Sequence, residues 1–312
     1  MKKNILTLLL LSLLLSSCGS NTGGKAPQSI PSQFESPKSS QSTDTASSST
    51  NTEKIECIAH RHVNGNGTLR SVNGLTLDLK TTSLRANQPV RIELNILNSE
   101  NKPLRDFAIT HTKPLHLILV KKNLDGYLHL HPTVNEDGLW SVETEFPSGG
   151  SWQIVADFQS LEGEDYNLGT FIKVTGEDPV FRLPKPVENL KVDDITLSVS
   201  GMVSPDEHGM LLITATRNGA PLRLDQYLGA NAHLVAVRKD GSYSHMHPHS
   251  MRSMDACSSN QMPANDPYAS DDASKGVMHF MTEVHGAGLY RFYLQFMSSG
   301  KLYTVPFTME VA

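Results

Sequence analysis

The sequence predicts an all-β protein built from two tandem β-sandwiches behind an export signal and a polar tether. Three observations predict it. Short apolar runs alternate with period two, as half-buried strands do, in Leu75-Thr76-Leu77-Asp78-Leu79-Lys80 and in Val90-Arg91-Ile92-Glu93-Leu94-Asn95-Ile96. Turn clusters such as Asn98-Ser99-Glu100-Asn101-Lys102-Pro103 separate them, and no convincing helical period intervenes. Finally, the whole pattern occurs twice, which is the mark of an internal repeat.

The chain begins with Lys2 and Lys3 and an apolar run from Ile5 to Leu15, too short to span a bilayer comfortably. It closes on Leu15-Ser16-Ser17-Cys18, which resembles the lipobox of bacterial lipoproteins, so residues 1–18 are expected to be a lipoprotein signal with Cys18 as the lipidated residue. The alternative is an ordinary secretory signal with a chance cysteine. Gly19 follows; by the sorting rule of Gram-negative lipoproteins, a residue other than Asp here favours the outer membrane. The expected setting is therefore the bacterial cell envelope, with the membrane reached through a lipid. Residues 19–55 are rich in Ser and Thr and nearly free of apolar side chains, so they read as a disordered tether.

The first sandwich is expected over residues 72–176, a Pro-containing linker over 177–192 and the second sandwich over 193–312. Ile195-Thr196-Leu197-Ser198-Val199-Ser200 matches the Leu75 strand, and Pro221-Leu222-Arg223 matches Pro103-Leu104-Arg105. Ala232-His233-Leu234-Val235-Ala236-Val237 matches Leu115-His116-Leu117-Ile118-Leu119-Val120; both runs are continuously apolar apart from the histidine. Each is followed by Asp-Gly, Asp125-Gly126 and Asp240-Gly241, expected to supply the positive φ of a hairpin turn. The second copy carries a polar insertion, about 249–274, expected to be functional or disordered.

After each turn comes the same His-x-His-Pro core, in Leu128-His129-Leu130-His131-Pro132 and in Ser244-His245-Met246-His247-Pro248. His116, His129 and His131 are thus repeated as His233, His245 and His247. Residues i and i+2 share one face of a strand, and cross-strand neighbours lie ~4.5–5.5 Å apart, so three imidazoles can converge on one ion. A one-residue slip in register sends His116 or His233 to the other face. Two readings stand: metal ligands, or hydrogen-bonded structural histidines. The second copy adds His249, Met251 and Met254 as supplementary ligands, and thioethers favour copper, with zinc the alternative.

Net charge is −5, so no basic footprint points to nucleic acid. Gly-x-Ser-x-Gly, P-loop and His-Glu-x-x-His motifs are absent, and an enzyme is not expected. Besides Cys18 there are Cys57 and Cys257, readable as a disulfide, as free thiols or as metal ligands. Cys57, His60 and His62 form a second ligand-like run, or a polar entry segment with incidental histidines.

The segments Pro114 to Val120, Tyr127 to Pro132, Gly150-Ser151-Trp152 and Ala156-Asp157-Phe158 together resemble the YtkA-like and FixH-like exported immunoglobulin-type domains of bacteria. That resemblance implies immunoglobulin-like sandwiches more than a function; many such domains have no assigned activity, and some occur alongside copper-handling proteins. A looser similarity is to periplasmic copper-binding sandwiches, which usually place a ligand histidine at the mature N-terminus; here Cys18 and the tether take that end. The expected function is a lipid-anchored copper-binding protein for sequestration or delivery, working with another envelope protein. The rival is a non-metal, immunoglobulin-like interaction module for a protein or glycan.

Overall fold

The computed structural model describes residues 55, 57–59, 62–205, 209–257, 261–263 and 266–312. The expected signal, Cys18, His60 and all of the tether but its last residue lie outside the described residues. The rest is all-β, two tandem sandwiches, as the repeated pattern predicts. No helix of the described residues is long and apolar enough to cross a membrane.

Each repeat has an outer and an inner sheet. The first outer sheet runs in the order Ser71–Val72, Leu75–Leu79, Pro89–Leu97, Trp140–Glu145, Thr133–Val134. The first inner sheet runs Val63–Asn64, Asp165–Thr175, Gly150–Gln159, His116–Lys121, Tyr127–Leu130. In the second repeat the outer sheet joins Asn189–Val192, Ile195–Met202 and Gly209–Arg217, with Val277–Thr282 on the last. Its inner sheet runs Tyr243–Met246, Ala232–Arg238, Gly288–Ser298, Lys301–Val311. The pairing Ile118↔His129 mirrors Val235↔His245, so the matched segments fold alike.

The two inner sheets pack face to face. In His116–Lys121 every residue is buried: Leu117 and Leu119 enter the first repeat's own core, while Ile118 and Val120 join Val235, Val237, Tyr243 and Tyr293 between the repeats. Leu234 and Ala236 likewise face the second core, with Val235 and Val237 turned to the first repeat. A strand buried on both faces has no polar alternation to show, which is why these two runs read as continuously apolar. Burying such side chains contributes roughly 1.5–3 kcal/mol each. Tyr127 stacks on Tyr293 at 4.4 Å, and the Tyr293 hydroxyl donates to the Leu124 carbonyl at 2.9 Å.

One sequence expectation changes, and two matters left open are decided. In the first hairpin the positive φ falls on Leu124 (67°), not on Gly126. Gly126 answers a different demand: a Cβ there would run into the Trp152 ring. In the second hairpin Gly241 does take positive φ, 97°. The insertion holds two helices, Met251–Asp255 and Ala269–Lys275, of five and seven residues, too short to show a helical period. Ser250 caps the first, its hydroxyl accepting from the Ser253 amide. Cys57 and Cys257 form a disulfide, Cα–Cα 5.7 Å, which tethers this insertion to the segment before the first sandwich. Cys57 is therefore not a thiolate ligand, and the run it begins with His60 and His62 loses that member.

Candidate metal centre

The hairpin register brings the repeated histidines together as two triads, His116 with His129 and His131, and His233 with His245 and His247. In each triad one ring nitrogen per histidine lies within 4.8 Å of the others. The slip that would have sent His116 or His233 to the opposite face has not occurred.

Both triads sit where the inner sheets meet, so they adjoin each other. Ring centroids within the first are 5.3, 5.0 and 4.8 Å apart, and within the second 5.4, 4.7 and 4.5 Å. Across the boundary His116 lies 5.7 Å from His245, His129 5.5 Å from His245 and His129 5.9 Å from His233.

The hydrogen bonds assign the tautomers. His116 Nε2 faces the Thr110 carbonyl at 3.0 Å, and His233 Nε2 faces the Tyr227 carbonyl at 2.9 Å. A carbonyl only accepts, so both nitrogens carry their proton and donate. His129 Nδ1 donates to Gln295 Oε1 at 2.8 Å, while the Gln295 amide nitrogen donates to the Thr304 hydroxyl. His245 Nδ1 donates to Asp157 Oδ2 at 2.9 Å, which also accepts from the Tyr243 hydroxyl at 2.7 Å. The remaining nitrogens face one another, His116 Nδ1 to His129 Nε2 at 3.0 Å and His233 Nδ1 to His245 Nε2 at 3.3 Å. His131 and His247 each add a buried Nε2 with no hydrogen-bond partner among the described residues.

Burial keeps most of these rings neutral. Desolvation, reinforced by neighbouring histidines, lowers His233 to about 2 and His131 to about 4. It also lowers His116, His129 and His247. Burial pushes Asp157 upward, but the hydrogen bond and charge of His245, with His116 and Tyr243, bring it down to about 2. The carboxylate is thus ionised at neutral pH. In the first triad His116 Nδ1 and His129 Nε2 lie 3.0 Å apart, a distance open both to an N–H···N hydrogen bond and to two ligands of one ion. A tetrahedral ion bound at ~2.0–2.1 Å holds its nitrogen ligands about 3.3 Å apart, so the spacing suits a metal.

Three further ligands were expected in the second repeat, at His249, Met251 and Met254. His249 belongs to neither group; its amide donates to the His279 carbonyl at 2.9 Å, and its buried Nδ1 has no partner among the described residues. Met251 is exposed, and Met254, on the same short helix, is buried. Sequence reasoning missed His111, whose ring stacks on His247 with centroids 3.3 Å apart and an interplanar angle of 17°. His111 has positive φ, 49°, and so does Leu228, 52°, in the corresponding loop of the second repeat. It also missed Asp157 and Gln295. Their signal was present: each is a polar residue within an apolar strand, paired with His116 and His233 respectively, and a buried polar group requires a partner.

A family described as "Domain of unknown function (DUF8832)" matches residues 70–176 and 190–312, one stretch per sandwich, and the chain belongs to it. No curated protein matches. Among solved structures, a tetra-tandem repeat from the extending region of a large adhesion protein is 12% identical, with 76% of this chain and 49% of that chain covered and a TM-score of 0.25. The Escherichia coli adhesin FdeC is 14% identical over 78% of this chain and 65% of its own, TM-score 0.24. A two-domain fibronectin type-III segment of chicken tenascin is 12% identical over 75% and 97%, TM-score 0.20. The chain spans about half the length of the first of these.

Proposed function

We propose that this member of a family of unknown function is an exported, lipid-anchored protein that binds a transition metal through its two histidine triads and serves in sequestration or delivery. One observation carries the reading. In each triad two histidines have their outward nitrogen on a carbonyl, an amide or a carboxylate, so their inward nitrogens converge, at 3.0 Å in the first triad and 3.3 Å in the second. Metal-binding histidines are oriented in this way, the second ring N–H held by a carbonyl or carboxylate. As a purely structural cluster the same residues would leave buried nitrogens unpaired, at about 1–3 kcal/mol each.

The imidazole sets suit copper and zinc alike. Copper is the proposed ion because the insertion after His247 adds His249 and the thioethers Met251 and Met254, and thioether selects Cu(I). The disulfide agrees with export, since such bonds persist in oxidising compartments. Lipidation at Cys18 would hold the protein at a bacterial envelope membrane, beside a partner that supplies or receives the ion. No substrate is assigned, and the activity proposed is binding rather than catalysis.

The test is metal uptake by the full chain, purified without a polyhistidine tag, stripped with chelator and dialysed against Cu(II) or Zn(II). Elemental analysis should find tightly held metal in the protein. Background metal only, with the fold intact by circular dichroism, removes this reading and leaves the interaction module.

A further inference from the structure

We infer that the two triads form one dinuclear metal centre straddling the boundary between the repeats, not two independent sites. The inference rests on the metal-binding reading above and deepens it.

Distance is the first argument. The contacts across the boundary, 5.7, 5.5 and 5.9 Å between ring centroids, barely exceed those inside a triad, which reach 5.4 Å. No layer of side chains separates His129 from His245. An ion in either triad is therefore a close neighbour of an ion in the other.

Reciprocity is the second. The first triad's His129 is oriented by Gln295 of the second repeat, and the second triad's His245 by Asp157 of the first. Asp157 is the strand partner of His116, and Gln295 that of His233. Each repeat thus holds one triad and orients the other, and neither site is complete in a single repeat. His111 of the first repeat also lies flat on His247 of the second. The stacked Tyr127 and Tyr293 beside the cluster hold the sheets in this relation.

The arrangement has a chemical consequence. Three imidazoles leave a tetrahedral ion one open position. Six imidazole ligands and Asp157 bring a single negative charge to two cations that repel each other at short range. A small anion from solvent, hydroxide or chloride, on the open positions between the ions relieves that repulsion. A paired centre of this kind also makes metal occupancy a staple between the repeats.

Stepwise loading of the chelator-stripped full chain with Cu(II), followed by electron paramagnetic resonance, tests the pairing. At one equivalent the spectrum should be that of an isolated ion. At two equivalents it should broaden or lose integrated intensity and gain a half-field transition. His116→Ala with His129→Ala should bind one equivalent and keep the isolated spectrum throughout. Two equivalents whose spectra simply add, with no half-field line, overturn the pairing but leave metal binding standing. Saturation of the unaltered chain at one equivalent also overturns it. Failure to take up any Cu(II) removes the metal reading and the pair together.

Discussion

The two triads share what the repeat duplicated and differ in what stands behind them. In both, the strand histidine donates to a carbonyl six residues earlier, Thr110 for His116 and Tyr227 for His233. In both, the hairpin's first histidine reaches across to the other repeat. There the symmetry ends: His129 meets the amide of Gln295, and His245 meets the carboxylate of Asp157. A carboxylate behind an imidazole raises its basicity and contributes charge, and an amide contributes neither. Two sites of the same shape are thereby made unequal, and the second triad should hold its ion more tightly. The first repeat lends His111 as a cover for His247, while Leu228 occupies the matching loop position of the second.

The largest expected effect erases the difference, because protons defeat both triads. Folding depresses the pKa of His131 to about 4, His111 to about 3 and His233 to about 2, with burial the first cause. Above pH ~6.5 these rings are neutral whether folded or not, and they do not affect stability. Below it the unfolded chain takes up protons that the folded chain refuses. His111 and His233 then each cost about 1.4 kcal/mol per pH unit until the folded pKa is reached, and the more exposed His131, screened by solvent, costs less. The metal-free protein should therefore lose melting temperature steeply between pH 6.5 and 4. A flat profile over that interval would mean that the rings titrate normally and are not packed as described.

Next in size is removal of one triad at a time. His233→Ala with His245→Ala should abolish the tighter binding event in a calorimetric titration and leave the weaker one. His116→Ala with His129→Ala should do the reverse. If both double variants leave the same affinity, the triads are equivalent and the comparison fails.

The inequality itself is tested by exchanging the two orienting groups. Asp157→Asn should weaken the second triad by about 10–100-fold, the usual scale for an orienting partner of a metal-bound histidine. Gln295→Glu should tighten the first triad, so that the two binding events converge. A competition titration against a chelator of known affinity reads both. Two undiminished affinities in the Asp157→Asn variant would detach Asp157 from the site. The smallest effect belongs to the cover: His111→Ala should speed release of the second triad's ion a few-fold in stopped-flow chelation, with the first unchanged.

The sandwich strands were legible because their signal is local. Leu75–Leu79 alternates, pairs with Pro89–Leu97 and puts Leu77 in the core, as its period says. The triads were legible too, since His-x-His on one strand and a histidine on its neighbour converge once the register holds. Asp157 and Gln295 escaped notice because each acts on a histidine of the other repeat, separated from it by 88 and 166 positions. The supplementary ligands His249, Met251 and Met254 were chosen by nearness in the chain; the structure puts the two methionines on the helix that Ser250 caps, Met251 exposed and Met254 buried.

By itself the sequence determined two sandwiches, their duplicated histidines and two strands, Leu115 to Val120 and Ala232 to Val237, too apolar to face water on either side. Only the tertiary structure decided what covers the second face of each strand: the other repeat, which sets the triads side by side and crosses their orienting groups. The physical reason is that periodicity is a property of a few neighbouring residues. The choice of covering surface instead minimises the free energy of the whole chain, through contacts between segments whose order along it carries no such signal.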